Sequence, residues 1–387
     1  MSQTSQVPTA AARPCTIKHH FRMLKDPRRR HRRMHRLIDI VIIAISAVIA
    51  GAEDWHQVVT FARRRQDWLK RFLALPHGIP SHDTFERVFD RIDPKAFQAC
   101  FREWIAAVCD VLKIKQVAID GKTLRHSGSK SLGPLHVVSA WATANHLILG
   151  QEVVSEKSNE ITAIPRLLEL LDIEGALVTL DAMGCQKDIA RQIVDRGGDY
   201  VLTVKENQER LFDDIQQSFV EAFEREASPV DLAVFHTEER GHGRHEKRTY
   251  TVLYDLDGIR DRALWAQLTV IGMCYSERTV NGKTSEELRY FIGSRKASAR
   301  TYGKALRNHW GIENGLHWHM DITFGEDASR IRKPRGAENF ALLRRIALSL
   351  LKQHPEKLSV ACKRFAAALD TAFLEEILCG TGNSEKP

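Results

Sequence analysis

Cysteine is sparse and scattered in this sequence. Its 387 residues hold seven (Cys15, Cys100, Cys109, Cys185, Cys274, Cys362 and Cys379), with no CxxC pair and an odd total. That excludes a zinc ribbon, speaks against a disulfide framework and suits a reducing cytoplasm. Long apolar runs are missing too. The most apolar stretch, LIDIVIIAISAVIAGA (37–52), has 16 residues, contains Asp39 and Ser46, and follows a basic segment. A membrane span needs about 20 apolar residues and a secretory signal begins nearer residue 1, so the stretch reads as a core helix and no membrane is expected. The HEXXH spacing of zinc proteases is absent. No strong overall excess of one charge exists either, since 57 Lys and Arg against 49 Asp and Glu leave +8.

The excess that does exist collects near the amino terminus. KDPRRRHRRMHR (25–36) has seven basic residues and one acid, with Arg28, Arg29 and Arg30 in a row, a composition suited to a polyanion such as nucleic acid; a solvated charged tail is the competing reading. Residues 1–16, polar and proline-bearing, read as a disordered tail. From 17 to 112 the apolar spacing is helical throughout. In SHDTFERVF, Ser81 or Asp83 can cap a helix, with Glu86 completing a capping box, and a short capped helix among basic ones fits either a helix-turn-helix reader of DNA or an ordinary bundle.

After Lys113 the pattern becomes α/β. IKQVAID, HVVSAWAT and LILGQEVV are strand-like, with a tight turn at Asn145–His146. A helix, a strand, a helix and a strand follow, which implies an antiparallel section joined to parallel crossovers. A charged helix and β-like segments over about 206–292 read as an insertion that leaves the sheet and returns before a final helix.

Two strand runs end in carboxylates. VAIDGKTLRHS (117–127) passes from Val117, Ala118 and Ile119 to Asp120, with Gly121 expected to stop the strand; LVTLDAMGCQ (177–186) ends in Asp181. A third acid comes from 306–320, where Ile312, Leu316 and Met320 recur at four-residue steps as a buried stripe, beside His309, Glu313 and His317. Glu313 is the candidate, with Asp321, Glu326 and Asp327 as competitors. Three converging carboxylates would hold two Mg²⁺ or Mn²⁺ ions, which activate a water or sugar hydroxyl and stabilise the departing oxygen of a phosphodiester. Carboxylates so close would also raise at least one pKa by mutual repulsion. Lys122 and Arg125 would then meet the flanking phosphates.

FRMLKDPR, the HRLIDIV run, PSHDTFERVF, AIDGKTLR, LVTLDAMGCQ, YVLTVKENQ, GHGRHEKR and HWGIENGLHWHMDITFGED occur in this order. Over about 17–350 the chain thereby resembles the H-repeat-associated transposases, an insertion-sequence family of DDE enzymes. The resemblance implies an RNase H-like mixed sheet with flanking helices, preceded by an all-helical region. It also implies divalent metal, cutting and joining of double-stranded DNA at element ends, and acids at Asp120, Asp181 and Glu313. Pairing two ends would require a homodimer or higher assembly on DNA, in the cytoplasm. The wider set of such transposases brackets the last acid with tyrosine, arginine and lysine; here Leu306, His309 and Met320 stand there, so those roles do not carry over.

The expected division is a tail at 1–16, a DNA-binding region at 17–112, a catalytic domain at 113–350 and a helical tail at 351–387. Lys205, at a strand exit, and Arg330, Arg332 and Lys333, before the last core helix, are further candidates for phosphate contact. GHGRHEKR (241–248), with His242 and His245, reads as a basic DNA-facing hairpin rather than a metal loop. Two rivals stand beside this reading: a zinc hydrolase built on His309, Glu313 and His317, and a DNA-binding relic without activity.

Overall fold

The computed structural model describes residues 16–112, 114–124, 134–154, 160–225, 228, 231–241 and 243–379. All but the last residue of the expected tail at 1–16, together with Arg125 and His242, lie outside them. The chain opens with helices α1 (Thr16–Phe21), α2 (Leu37–Ile49), α3 (Trp55–Arg64), α4 (Gln66–Lys70), α5 (His82–Phe89) and α6 (Pro94–Leu112). Then come strands β1 (Gln116–Thr123), β2 (His136–Ala142) and β3 (Leu147–Val154), helix α7 (Glu160–Glu169), β4 (Leu177–Leu180), α8 (Lys187–Asp195) and β5 (Asp199–Val204). This is the order expected after Lys113. Helix α9 (Glu209–Glu224) leads to β6 (Leu232–Gly241), β7 (Arg244–Leu253), β8 (Val270–Val280) and β9 (Lys283–Gly293), then α10 (Ala299–His309). The last helices are α11 (Pro334–Gln353), α12 (Val360–Leu369) and α13 (Thr371–Cys379).

The described residues up to Val111, with Leu124, 134–135 and 318–379, form a helical unit; the described residues of 112–123 and 136–317 form a unit built on a sheet. In the helical unit α2 is buried along almost its whole length, as the 37–52 run requires of a helix apolar on every side. Its polar residues are satisfied locally: Asp39 Oδ2 accepts the Leu75 N–H (3.1 Å) and Ser46 Oγ donates to the Ile42 carbonyl (2.8 Å). Helix α11 packs against α2 and starts with Pro334 in its first turn, where a missing N–H does no harm. Asn339 on α11 donates to the Phe89 and Ile92 carbonyls, binding the otherwise unpaired end of α5. The capping box expected at α5 does not form. Ser81 is the capping residue, no side chain accepts from the helix start, and Ser81 Oγ instead meets Thr84 Oγ1 at 3.1 Å.

The sheet unit has nine strands in the order β3-β2-β1-β4-β5-β9-β8-β7-β6. β1, β4 and β5 are parallel neighbours, and β2 and β3 join β1's free edge antiparallel. β9 adds antiparallel to β5, and β8, β7 and β6 follow as hairpin partners. The 206–292 segment therefore does not leave the sheet, as was expected of it; its strands extend it. The reason is that β5 would otherwise present an open row of peptide groups, which β9 pairs. The tight turn between β2 and β3 falls where expected, with His146 at φ 55°.

Gly121 does not stop β1, which runs on to Thr123 against β2. Its lack of a side chain serves another end. A Cβ at this position would overlap Glu160 Oε1 and His136 Nε2, the members of a buried pair 2.5 Å apart. Gly121→Ala should therefore destabilise the protein by about 1–3 kcal/mol, as forced overpacking does. Urea unfolding will read the shift; an unchanged midpoint would show that the pair does not need that space.

Candidate functional site

The last residues paired between β1 and β4 are Ile119 and Leu180. Asp120 and Asp181 come one residue later on each strand and so stand side by side, where two fully buried apolar strands reach the edge of the core. Asp181 Oδ1 accepts the N–H groups of Met183 (3.0 Å) and Gly184 (3.3 Å), an Asx turn that carries the chain off the sheet and holds the carboxylate. Asp120 leaves the parallel pairing but not the sheet, since it lies opposite Ser139 of β2.

Helix α10 packs on the sheet through Ala299, Tyr302 and Ala305. Beyond it Ile312 and Leu316 are buried, as their spacing predicts. The turn Glu313–His317, which includes Leu316, is π-helical, a wider winding that recurs at functional sites. Gly315 lets it lie against β2, because a Cβ there would come within 2.8 Å of Trp141 Cζ2. Glu313 and His317 then face Asp120. His317 Nδ1 is 3.6 Å from Asp120 Oδ2 and 3.4 Å from Glu313 Oε2, and one ligand atom from each of the three lies within 4.8 Å of the others.

The two carboxylates of this group differ in exposure: 17% for Asp120 and 51% for Glu313. Burial pushes Asp120 up to about 6, against the pull of His317 and the Gly121 N–H, and the charges of Glu313 and Asp181 add to the rise. Repulsion was the cause expected from sequence; loss of water is the larger one. Glu313 goes the other way, held below the ordinary glutamate range by its bond from His317 despite some burial. When the pair shares one proton, the buried partner holds it. His309 contributes no charge at neutral pH, because burial lowers it to about 4; its Nδ1 is 2.9 Å from Thr179 Oγ1. The zinc rival needed His309 in the cluster, but the cluster is Asp120, Glu313 and His317.

Asp120, Asp181, Glu313, His309 and Trp310 line one side of a cleft of about 750 Å³. Residues of β7, β8 and β9 line the other, and on β7 they are the alternate residues Arg244, Glu246, Arg248 and Tyr250, one face of a pleated strand. Sequence reasoning took 241–248 for a DNA-facing hairpin and put His317 on the stripe of Glu313, but brought neither to the aspartates. The signals were present in the period-two spacing of Arg244, Glu246 and Arg248 and in the four-residue step from Glu313.

Of the proposed phosphate contacts, Lys205 lines the cleft, whereas Lys122 is buried in β1, which corrects its expected surface role. Arg28 is also buried: it binds Asp26 through two nitrogens (3.0 and 2.8 Å) and donates to the His35 carbonyl (2.7 Å). That makes it a brace for its loop, while Arg29 and Arg30 are exposed. Arg330 and Arg332 are exposed, and Lys333 is ion-paired with Glu86 (2.9 Å) and Asp90 (2.8 Å). Among the competing acids, Glu326 is buried and paired with Arg345 at 2.7 Å, so it balances a buried cation. Asp321 and Asp327 are half-buried members of the helical unit.

Residues 112–350 match the family described as "Transposase DDE domain", and 18–105 match "DDE_Tnp_1-associated". "H repeat-associated putative transposase YhhI" of Escherichia coli (strain K12) is 39% identical over 377 residues, 95% of this chain and 99% of that protein. "Putative transposase YncI" of Escherichia coli O157:H7 is 40% identical over 364 residues, 92% of each. A solved structure of the piggyBac transposase synaptic complex with hairpin DNA aligns with a TM-score of 0.43 and 12% identity, over 97% of this chain and 84% of that one.

A carboxylate whose pKa is raised on folding favours the native state while protonated. Between its unfolded value near 3.8 and about 6 the native protein binds more protons, so stability falls as pH rises through that window, by about 3 kcal/mol in total. Asp120→Asn should therefore melt above the parent protein at pH 7–8 in EDTA, with the gap closing toward pH 4. Equal melting temperatures at pH 8 would mean that Asp120 is well solvated.

Proposed function

Because the chain belongs to the H-repeat-associated family of DDE transposases, we propose that it binds the terminal inverted repeats of its insertion sequence, hydrolyses phosphodiesters there and joins the 3′ ends to a target duplex. Its core is the RNase H-like mixed sheet, β3-β2-β1-β4-β5, with α/β crossovers. The observation that carries the reading is the meeting of Asp120 and Glu313 at the level where Asp181 stands on the neighbouring strand.

DDE domains use divalent metal ions, and the donor set fits them: hard carboxylate oxygens at the mouth of a cleft, one of them deprived of water and in need of a cation. Two Mg²⁺ or Mn²⁺ ions, when bound, stabilise the attacking and departing oxygens of the phosphodiester. The protein's own part is positional. The β1–β4 register holds Asp120 and Asp181 together, the packed turn brings in Glu313, and the Asx turn keeps Asp181 aimed. Lys205 and the arginines of β7 to β9 offer charge to the flanking phosphates.

In the same reading residues 17–112 recognise the element ends, 113–350 carry the chemistry, and 351–387 are a helical tail. At least two copies assemble on DNA to pair the ends, and no helix of the described residues is long and apolar enough to cross a membrane. Arg29, Arg30, Arg330 and Arg332 are the exposed cations proposed for DNA.

Asp120→Ala, Asp181→Ala and Glu313→Gln should each reduce cleavage of end-bearing DNA in Mg²⁺ or Mn²⁺ by more than about a hundredfold, the scale on which removing one transition-state stabiliser acts. Binding to the same DNA should stay close to that of the parent. Robust cleavage by one variant would remove that residue from the centre, and an inactive parent on authentic ends would favour the relic.

Neutralising Arg29 and Arg30 should weaken DNA binding at every sequence and flatten the dependence of log K on log salt by about 0.9 per lost phosphate contact. Arg28→Ala should instead lower the melting temperature, because it unties the Asp26 brace. An unchanged slope for the Arg29 and Arg30 variant would make the basic run a solvated surface.

A further inference from the structure

The three-acid reading leaves one member of the cluster without a role. His317 is 5% exposed, and an imidazole taken that far from water needs polar partners. Those facing its Nδ1 are Asp120 Oδ2 at 3.6 Å and Glu313 Oε2 at 3.4 Å. The other nitrogen, Nε2, is buried and has no hydrogen-bond partner among the described residues. The ring is therefore not the middle of a relay, in which a histidine facing the reacting group is oriented from behind by a second side chain. What it offers the site lies on the carboxylate side.

We infer that His317 is a direct ligand, through Nδ1, of a first-row divalent cation held jointly with Asp120 and Glu313, so that one metal position of the DDE centre has two carboxylates and one imidazole. Donor atoms around a cation with bonds of about 2.1 Å stand about 3.0–3.4 Å apart, for octahedral neighbours and tetrahedral ones respectively. The separations of 3.4 and 3.6 Å come within a few tenths of an ångström of that range. Asp181, on the other flank of Asp120, is then left for the second ion.

A consequence follows from ligand chemistry. Mg²⁺ takes oxygen donors and keeps its waters, whereas imidazole suits first-row transition ions. Replacing one oxygen donor by His317 thus biases this position away from Mg²⁺ and toward first-row ions, Mn²⁺ being the least strongly favoured of them. His309 is the alternative nitrogen in the cleft, but it is not a member of the cluster in which ligand atoms of Asp120, Glu313 and His317 come within 4.8 Å of one another.

The inference rests on the metal-centre reading above and is tested without measuring cleavage. Full-length protein labelled with ¹⁵N-histidine is loaded with Mn²⁺ and examined by pulsed EPR, beside unlabelled protein. The expected result is a histidine nitrogen coupling that changes with the isotope, survives in His309→Gln and is lost in His317→Gln. Mn²⁺ affinity should fall by at least about tenfold in His317→Gln while Mg²⁺ affinity changes far less. Mn²⁺ bound in an Asp120-dependent way with no histidine coupling, or with coupling that persists in His317→Gln, overturns the inference and leaves the three-acid reading standing. No Asp120-dependent Mn²⁺ binding at all overturns both. The labelled parent needs no substitution, so an absence of coupling decides the matter even if His317→Gln does not fold.

Discussion

The register of β1 against β4 is the constraint on which the site depends. Val117, Ala118 and Ile119 run beside Val178, Thr179 and Leu180, and all six are buried. A slip of one residue in either strand would send its aspartate to the opposite face of the sheet and draw a polar end residue into the buried stretch. The hydrophobic pattern and the chemistry are therefore specified together. Asp120 and Asp181 stand side by side because the apolar residues before them pair in this register.

That placement has an electrostatic consequence. A carboxylate at the edge of a buried strand loses water before it gains a partner, and Asp120 accordingly holds its proton to about pH 6. Glu313, half in solvent and next to His317, stays ionised. The centre is thus unbalanced without a cation, one acid being reluctant to ionise and another already charged beside it. The divalent ion proposed for this site would offset both effects at once, whereas at the exposed acids of the surface it would offset neither.

The β6–β9 segment adds the second wall. Because β9 pairs with β5, the added strands continue the sheet that carries Asp120, and residues of β7 to β9 line the same cleft as the acids. Many of the cations there already have partners: Arg307 binds Glu239 at 2.9 Å and Arg278 lies 3.4 Å from Glu246. The wall is a patterned surface of both signs, in which Arg244, Arg248 and Arg278 pair with Glu246 and Arg289 with Glu287. An insertion detached from the sheet could not set those side chains in fixed register with Asp120.

Much of this was legible in the residues. The α2 run was recognisable as core because it is too short to cross a membrane and apolar on every side. The strand and helix order after Lys113 was recognisable because Gly and Pro separate runs of distinct period. Asp120 and Asp181 stood out because a charged residue closing an apolar strand run is uncommon. Other features depend on contacts between distant segments and could not be read that way. Gly121 looked like a strand end, yet its place is set by His136 and Glu160, residues 15 and 39 positions further on. Arg28 and Lys122 looked like surface cations, yet loop and sheet packing bury them. Glu326 was indistinguishable from a metal ligand until Arg345 proved to be its partner. Local sequence determined which segments form strands and helices, because period and propensity act over a few residues. Which carboxylates share an environment was decided only by the tertiary structure, because burial and pairing act through space.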